Sequence, residues 1–222
     1  MVAQRVRVKL CGIRSAADLS IAVNAGIDAV GFISGVTHLS EDSLDPKAAA
    51  ALVALAPPFL STVLVTHLER ADEILDLADL VGVDTIQVHG RVTESTVADV
   101  CRGARGRRVT KAIHVTGPEA IEEARRFRRI CDALHLDSRT ADRLGGTGET
   151  HDWSVSAQIR EEMESLGVPV ILSGGLRPEN VFQAVQAVRP FAVDVNSGVE
   201  TTGGDKDPQR VASFVSRAGG RS

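Results

Sequence analysis

"VRVKLCGIRSAADLSIAVNAGIDAVGFI", residues 6–33, holds one strand–helix–strand unit. From Val6 to Leu10 apolar residues alternate with basic ones, the period of a half-buried strand. Ser15, with Asp18 three positions on, forms a capping box at the head of "SAADLSIAVNAG", a helical segment. Ala29 to Ile33 is the next short apolar run. Two strands joined through a helix point to parallel pairing.

The unit recurs to the far end of the chain. Further strands are predicted at Thr62 to Thr66, Asp84 to Val88, Val109 to Ile113, Ala133 to Leu136, Val168 to Leu172 and Phe191 to Val195. Amphipathic stretches such as "LERADEILDLADLVG" and "PENVFQAVQAVRP" lie between them. Eight such units in 222 residues predict an α/β fold, a single (β/α)8 barrel of eight parallel strands spanning 1–222 as one domain. The competing architecture is an open doubly wound sheet. It usually has fewer units and a glycine-rich phosphate turn after its first strand, which "CGIR" does not supply.

Bulk properties narrow the partners. At 43% apolar and 24% charged residues the composition is that of a globular protein. A net charge of −4 gives no basic footprint for nucleic acid. No apolar run approaches the roughly 20 residues a membrane helix needs, and "MVAQRVRVKL" lacks a signal-peptide core. No membrane association and a cytoplasmic location are therefore expected. Cys11, Cys101 and Cys131 stand at neither disulfide nor zinc spacing.

Strand parity sorts the polar residues. Val6, Val8 and Leu10 share one face, and Arg7, Lys9 and Cys11 the other. Ile86 and Val88 oppose Thr85, Gln87 and His89; Leu134 and Leu136 oppose Ala133, His135 and Asp137; Phe191, Val193 and Val195 oppose Ala192, Asp194 and Asn196. The apolar sets must meet the helices, so the polar sets point into the barrel. Cys11, His89, Asp137 and Asn196 then stand at the C-terminal strand ends, the catalytic face of such barrels.

An isolated cysteine is usually an inert packing residue. Cys11 differs because Lys9 shares its face and can stabilise a thiolate, which an ordinary thiol of pKa about 8.5 scarcely forms at neutral pH. Cys101 and Cys131 read as packing residues. Asp137 reads either as a loop cap or as a general acid, the latter needing a pKa raised by burial or by a thiolate nearby. Cys11 and Asp137 thus make a candidate base and acid. "RLGGTGETHDW" with Gly145, Gly146 and Gly148, "LSGGLRPEN" with Gly174 and Gly175, and "VNSGVE" with Ser197 and Gly198 follow successive strands. Glycines there either make tight turns or let backbone N–H groups close on a phosphate. His89 is a structural histidine or a donor to a substrate oxygen. His38, His67, His114, His135 and His151 are scattered, and no cluster at ligand spacing suggests a metal site.

These motifs resemble, in order and over essentially the whole chain, those of the phosphoribosylanthranilate isomerase family. "VKLCGIRSAADLSIAVNAGIDAVGFI" is similar to its opening K-x-C-G-I/L…G-F-I, and "IQVHG" and "KAIHV" to Q-L-H-G and K-A-I/V. "LDSRTADRLGGTGETHDW", "ILSGGLRPENV" and "DVNSGVETTGGDKD" resemble its later blocks. The resemblance implies an Amadori rearrangement in tryptophan biosynthesis, with Cys11 as general base and Asp137 as general acid. It also implies phosphate held by the glycine loops; Lys9, Arg14, His89, Asp194 and Asn196 are the candidate substrate contacts. Neither step calls for a cofactor. The partner is a small phosphoribosyl substrate, and the protein is expected as a monomer or homodimer.

One departure stands out. After "GFI" the family has an arginine near the substrate, whereas here "SGVTHLSEDSLDP" carries Glu41 and Asp42 and no arginine. Losing a bidentate carboxylate clamp costs about 1.5–3 kcal/mol. Arg14 or Arg139 stands in for it, or the amine differs from anthranilate. The remaining alternatives are a related isomerase for another N-phosphoribosyl amine or phosphosugar, and a non-catalytic barrel that binds a phosphorylated ligand.

Overall fold

In the computed structural model, which describes residues 5–37, 41–138 and 152–220, the opening unit folds as the capping box requires. The Ser15 hydroxyl accepts from the Asp18 N–H at 3.1 Å, and the Asp18 carboxylate accepts from the Ser15 N–H at 3.1 Å. That starts α1 (Ala16–Asn24) between β1 (Arg7–Leu10) and β2 (Ala29–Ile33). Then come α2 (Pro46–Val53), β3 (Ser61–Thr66), α3 (Ala71–Val81), β4 (Thr85–Val88), α4 (Glu94–Gly103) and β5 (Arg108–Val115). The chain continues through α5 (Glu119–Phe127), β6 (Ala133–Ser138), α6 (Trp153–Glu164), β7 (Val170–Leu172) and α7 (Val181–Val188). It ends with β8 (Ala192–Val195), a 3-10 turn (Ser197–Val199) and α8 (Pro208–Ala218).

The eight strands pair in chain order, all parallel, and close between β8 and β1. Closure runs from Arg7 opposite Ala192 to Leu10 opposite Val195. Strand ends shift from the sequence reading for local reasons. β7 begins at Val170 rather than Val168 because Val168 donates back to Met163 of α6 and Pro169 has no N–H for the ladder. Phe191 stays outside β8; its half-exposed ring lies 4.3 Å from the Arg7 guanidinium carbon. β5 runs on to Val115, which pairs with Ser138.

Parity separates two cores. Val8, Leu10, Phe32, Ile86, Leu134, Leu136 and Val193 face the helices and pack on residues such as Leu19, Ile74 and Phe214. Inside the barrel, Cys11, Ile33, Val63 and Val65 form a small apolar cluster. Beside it are buried polar side chains: Lys9, Gln87, Thr110, His135, Asp137 and Asp194. Gly31 makes this crowding possible, since a Cβ there would stand 2.8 Å from the Cys11 sulfur and 3.1 Å from Lys9 Nζ.

At the opposite face, three aspartates just ahead of β2, β4 and β6 each tie down the preceding strand. Asp28 accepts from the Val8 N–H, Asp84 from the Thr62 N–H and Asp132 from the Val109 N–H, each at 2.8 Å. The Thr62 hydroxyl also donates to Asp84 at 2.7 Å. Replacing Asp84 by Ala strands these partly buried donors and is expected to cost about 1–3 kcal/mol. Urea unfolding should show it as a lower midpoint, with kcat and KM of the folded variant unchanged.

Candidate active site

β1 ends where the sequence places a thiol, and the backbone fixes it there. The Cys11 N–H donates to the Val195 carbonyl at 2.8 Å, continuing the β1–β8 ladder by one residue. Gly12 then turns with φ +69°, and a Cβ on it would come 2.4 Å from Asn196 Oδ1. Glycine satisfies both demands, the left-handed backbone and the close approach.

Beneath the thiol lies a buried ionic network. Lys9 Nζ donates to Asp194 Oδ2 at 2.8 Å, and His135 Nε2 stands 3.0 Å from the same oxygen. Asp194 Oδ1 is buried with no hydrogen-bond partner among the described residues. Burial works against the Lys9 charge, but Asp194 and the Cys11 sulfur more than offset it and hold the ammonium above its ordinary value. Burial likewise opposes the Asp194 charge, yet Lys9 and His135 keep this carboxyl below its ordinary value. Cys11 behaves otherwise. Burial pushes its thiol up, and Lys9 and Lys206 counter that only in part. Lys9 is thus already engaged, and Cys11 is mostly a thiol at neutral pH.

Asp137, at the end of β6, also faces inward and is buried. Ser173 Oγ, after β7, lies 3.1 Å from Asp137 Oδ1, and His89 Nε2 lies 3.5 Å from Oδ2. Burial pushes the carboxyl up to about 6, with Asp194 adding and His135 and Ser173 opposing. The sequence reading gave this task to burial or to a thiolate; in the structure burial is the leading cause. His89 takes an amide contact from Gln87 Nε2 at 3.3 Å, and the rings of His67 and His114 meet it edge-on at 4.8 and 5.1 Å. Burial, reinforced by those neighbouring imidazoles, pushes His89 well below its ordinary value, so it is neutral at physiological pH.

A second network braces the rim. The Asn196 amide nitrogen donates to Asp42 at 2.8 Å, while its oxygen accepts from Lys206 Nζ at 2.5 Å. Lys206, almost fully buried, also pairs with Glu200 at 2.6 Å. Arg14 lies 3.7 Å from Asp42 and 3.4 Å from Asp205, and donates to the Gly204 carbonyl. Both ends of the Asn196 amide are therefore held by neighbours. Gly174 and Gly175 take φ values of +88° and +63° after β7. Gly198, in the turn after Ser197, presses so close that a Cβ on it would stand 1.9 Å from the Leu176 carbonyl oxygen. The loops after β7 and β8 thus share one glycine-lined backbone surface. Gly145, Gly146, Gly148, Arg139, His38 and His151 lie outside the described residues.

Sequence reasoning singled out neither His135, Ser173, His114 nor Lys206 for this site. Parity placed His135 inside, and Lys206 sits in "GGDKD", a quoted block; both signals were present without an assigned role. Linear spacing gives no metal-ligand cluster, but the barrel brings one ligand atom each of His89, His114 and Asp137 within 4.8 Å of one another. Cys101 and Cys131 have thiols pushed up by burial to about 11 and about 12, as inert packing residues do.

A closed parallel barrel that holds a thiol and a high-pKa carboxyl group inward at its C-terminal end belongs among the (β/α)8-barrel enzymes suited to acid–base chemistry. Residues 8–217 match the family model of N-(5'-phosphoribosyl)anthranilate isomerase, and the chain belongs to that family. It is 44% identical over 213 residues to the N-(5'-phosphoribosyl)anthranilate isomerase of Halorubrum lacusprofundi, covering 96% of each chain. An isomerase of the same name, numbered 2, from Methanosarcina mazei is 39% identical over 96% of this chain and 94% of its own length. Among solved structures, phosphoribosyl anthranilate isomerase from Thermotoga maritima superposes with a TM-score of 0.85 at 36% identity, covering 97% and 99% of the two chains. A structure of phosphoribosyl anthranilate isomerase in complex with reduced 1-(o-carboxyphenylamino)-1-deoxyribulose 5-phosphate gives a TM-score of 0.82 at 34% identity, with the same coverage. No helix among the described residues is long and apolar enough to cross a membrane.

Proposed function

We propose that this chain catalyses the Amadori rearrangement of N-(5-phosphoribosyl)anthranilate to 1-(2-carboxyphenylamino)-1-deoxyribulose 5-phosphate in tryptophan biosynthesis. The observation that carries the reading is Asp137, an inward-facing carboxyl group that burial raises to about 6, sharing Lys9 and Asp194 as electrostatic neighbours with Cys11. Family membership supports the reaction, and the relative bound to a reduced product analogue supports the ligand.

Asp137 gives its proton to the furanose ring oxygen as the C1–O bond breaks, leaving a Schiff base between C1 and the amine nitrogen. The Cys11 thiolate then removes the C2 proton, and that electron pair moves to C1 and nitrogen to form an enolamine. The enol hydroxyl releases a proton and C1 takes one, giving the ketone and restoring both groups. Lys9 stabilises the thiolate while it forms. The loops carrying Gly174, Gly175, Ser197 and Gly198 hold the phosphate, together with Gly145, Gly146 and Gly148. Asp194, through the Oδ1 that has no hydrogen-bond partner among the described residues, accepts from a sugar hydroxyl, and His89 donates to a substrate oxygen. Asn196 keeps the rim in place. Arg14 pairs with the anthranilate carboxylate, its present ion pairs of 3.7 and 3.4 Å being long enough to exchange. The protein works as a monomer or homodimer in the cytoplasm; a Thermotoga maritima relative is described as dimeric with generated monomers.

The pair dictates a particular pH profile. The active form carries one proton, on Asp137 and not on Cys11. Below about pH 6 a second proton enters and no thiolate remains; above the raised thiol value the last proton leaves. Between these limits the active form is a small, constant fraction, so kcat/KM should be flat from about pH 6 up to the raised thiol value and fall about tenfold per unit below pH 6. A rate that declines steadily from pH 6 would contradict a base less acidic than the acid. The decisive test of function is rescue of a tryptophan auxotroph lacking this isomerase, with fluorescence loss of phosphoribosylanthranilate followed in vitro. Well-folded protein that neither rescues growth nor consumes this substrate would point to another N-phosphoribosyl amine.

A further inference from the structure

His89, His114 and Asp137 project from the neighbouring ends of β4, β5 and β6, with one ligand atom from each inside a 4.8 Å span. His89 Nε2 and Asp137 Oδ2 are already 3.5 Å apart. Two imidazoles and one carboxylate suit borderline first-row divalent cations such as Zn2+, Co2+ or Ni2+, whereas Mg2+ and Ca2+ need more oxygen ligands. Metal–nitrogen and metal–oxygen bonds of about 2.0–2.2 Å put donor atoms roughly 3–3.5 Å apart, so small side-chain rotations close the set.

The surroundings fit the ligated state. Ser173 lies against Asp137 Oδ1 and leaves Oδ2 directed at the imidazoles. Gln87 is the more telling neighbour. Its Nε2 faces His89 Nδ1 at 3.3 Å, while its buried Oε1 has no hydrogen-bond partner among the described residues. Turning that amide over sets Oε1 opposite a protonated Nδ1, which satisfies the orphaned oxygen and frees the Nε2 lone pair for a metal.

We infer that His89, His114 and Asp137 form a binding site for one borderline divalent cation, and that filling it inhibits the enzyme by taking Asp137 out of proton transfer. The inhibitory half rests on the acid role proposed for Asp137; the binding half does not.

Co2+ serves as a visible probe for the site. Titration of the full chain should give one saturable set of d–d bands, displaced by Zn2+ and untouched by Cys11→Ser. His114→Ala and the bulkier His114→Gln should each weaken Co2+ binding at least about tenfold. Zn2+ should slow wild-type turnover, EDTA should restore it, and both His114 variants should need at least about tenfold more Zn2+ for the same loss. Cobalt bands unchanged by both variants, or a sulfur-to-cobalt charge-transfer band that vanishes in Cys11→Ser, would overturn the site. Zinc inhibition indifferent to His114, with cobalt binding lost, would overturn the inhibitory half. A protein that binds cobalt through His114 but turns over no phosphoribosylanthranilate would uphold the site and remove the functional proposal alone.

Discussion

An Asp137→Asn enzyme folds, still binds the reduced product analogue, and turns over about 10²–10⁴-fold more slowly. The amide keeps the shape of the carboxyl group and can still accept from Ser173, so binding has little reason to fall. It lacks only an acidic proton for the ring oxygen, so the loss should appear in kcat. The same substitution tests the cost of the acid. Asp137 has a folded-state value of about 6 against an ordinary 3.8, so its charge opposes folding once ionised. Below pH 4 both states hold the proton and the opposition is absent. It grows as pH rises toward 6 and is complete above, at about 3 kcal/mol. Urea unfolding at pH 5 and pH 8 should therefore show the Asn variant gaining stability over wild type at the higher pH. An advantage over wild type no larger at pH 8 than at pH 5 would mean that burial does not hold this carboxyl up, and the general-acid role would lose its physical basis.

Residues 6–33 show why the barrel was legible. Capping box, strand periods and unit lengths all act locally, and their repetition leaves little choice of architecture. Side-chain parity then placed Lys9, Cys11, His135, Asp137 and Asp194 inside, because an apolar face must meet the helix layer whatever the partner strand. Register across the barrel was a different matter. That Lys9 and His135 converge on a single Asp194 oxygen depends on strands 1, 6 and 8 meeting across the interior, which no local rule encodes. The same holds for Ser173 behind Asp137 and for the two imidazoles that meet His89. Lys111 is the plainest case: "KAIHV" assigns it no role. It lies in the helix layer, 5.4 Å from the Phe127 ring centroid, donating to the Gly90 carbonyl at 3.1 Å. Burial lowers its pKa to about 8, and only the tertiary setting reveals that.

Cys11→Ser should cost about as much as Asp137→Asn, about 10²–10⁴-fold in kcat, for a different reason. A serine hydroxyl fits beside Gly31, where the sulfur now packs, but ionises far less readily than a thiol, even one raised by burial. The ring still opens, since Asp137 is intact, but C2 keeps its proton. Substrate recovered from heavy water should accordingly lack deuterium at C2, and a C2-deuterated substrate should show its full isotope effect in the slow variant. Combining the two substitutions discriminates further. Ring opening and C2 deprotonation are successive barriers, and removing the acid slows the first without changing its equilibrium. The double variant should therefore turn over at about the rate of the slower single one, not at the product of the two losses. A multiplicative loss would mean that thiol and carboxyl act in one transition state, and the two-step path through an open Schiff base would have to be given up.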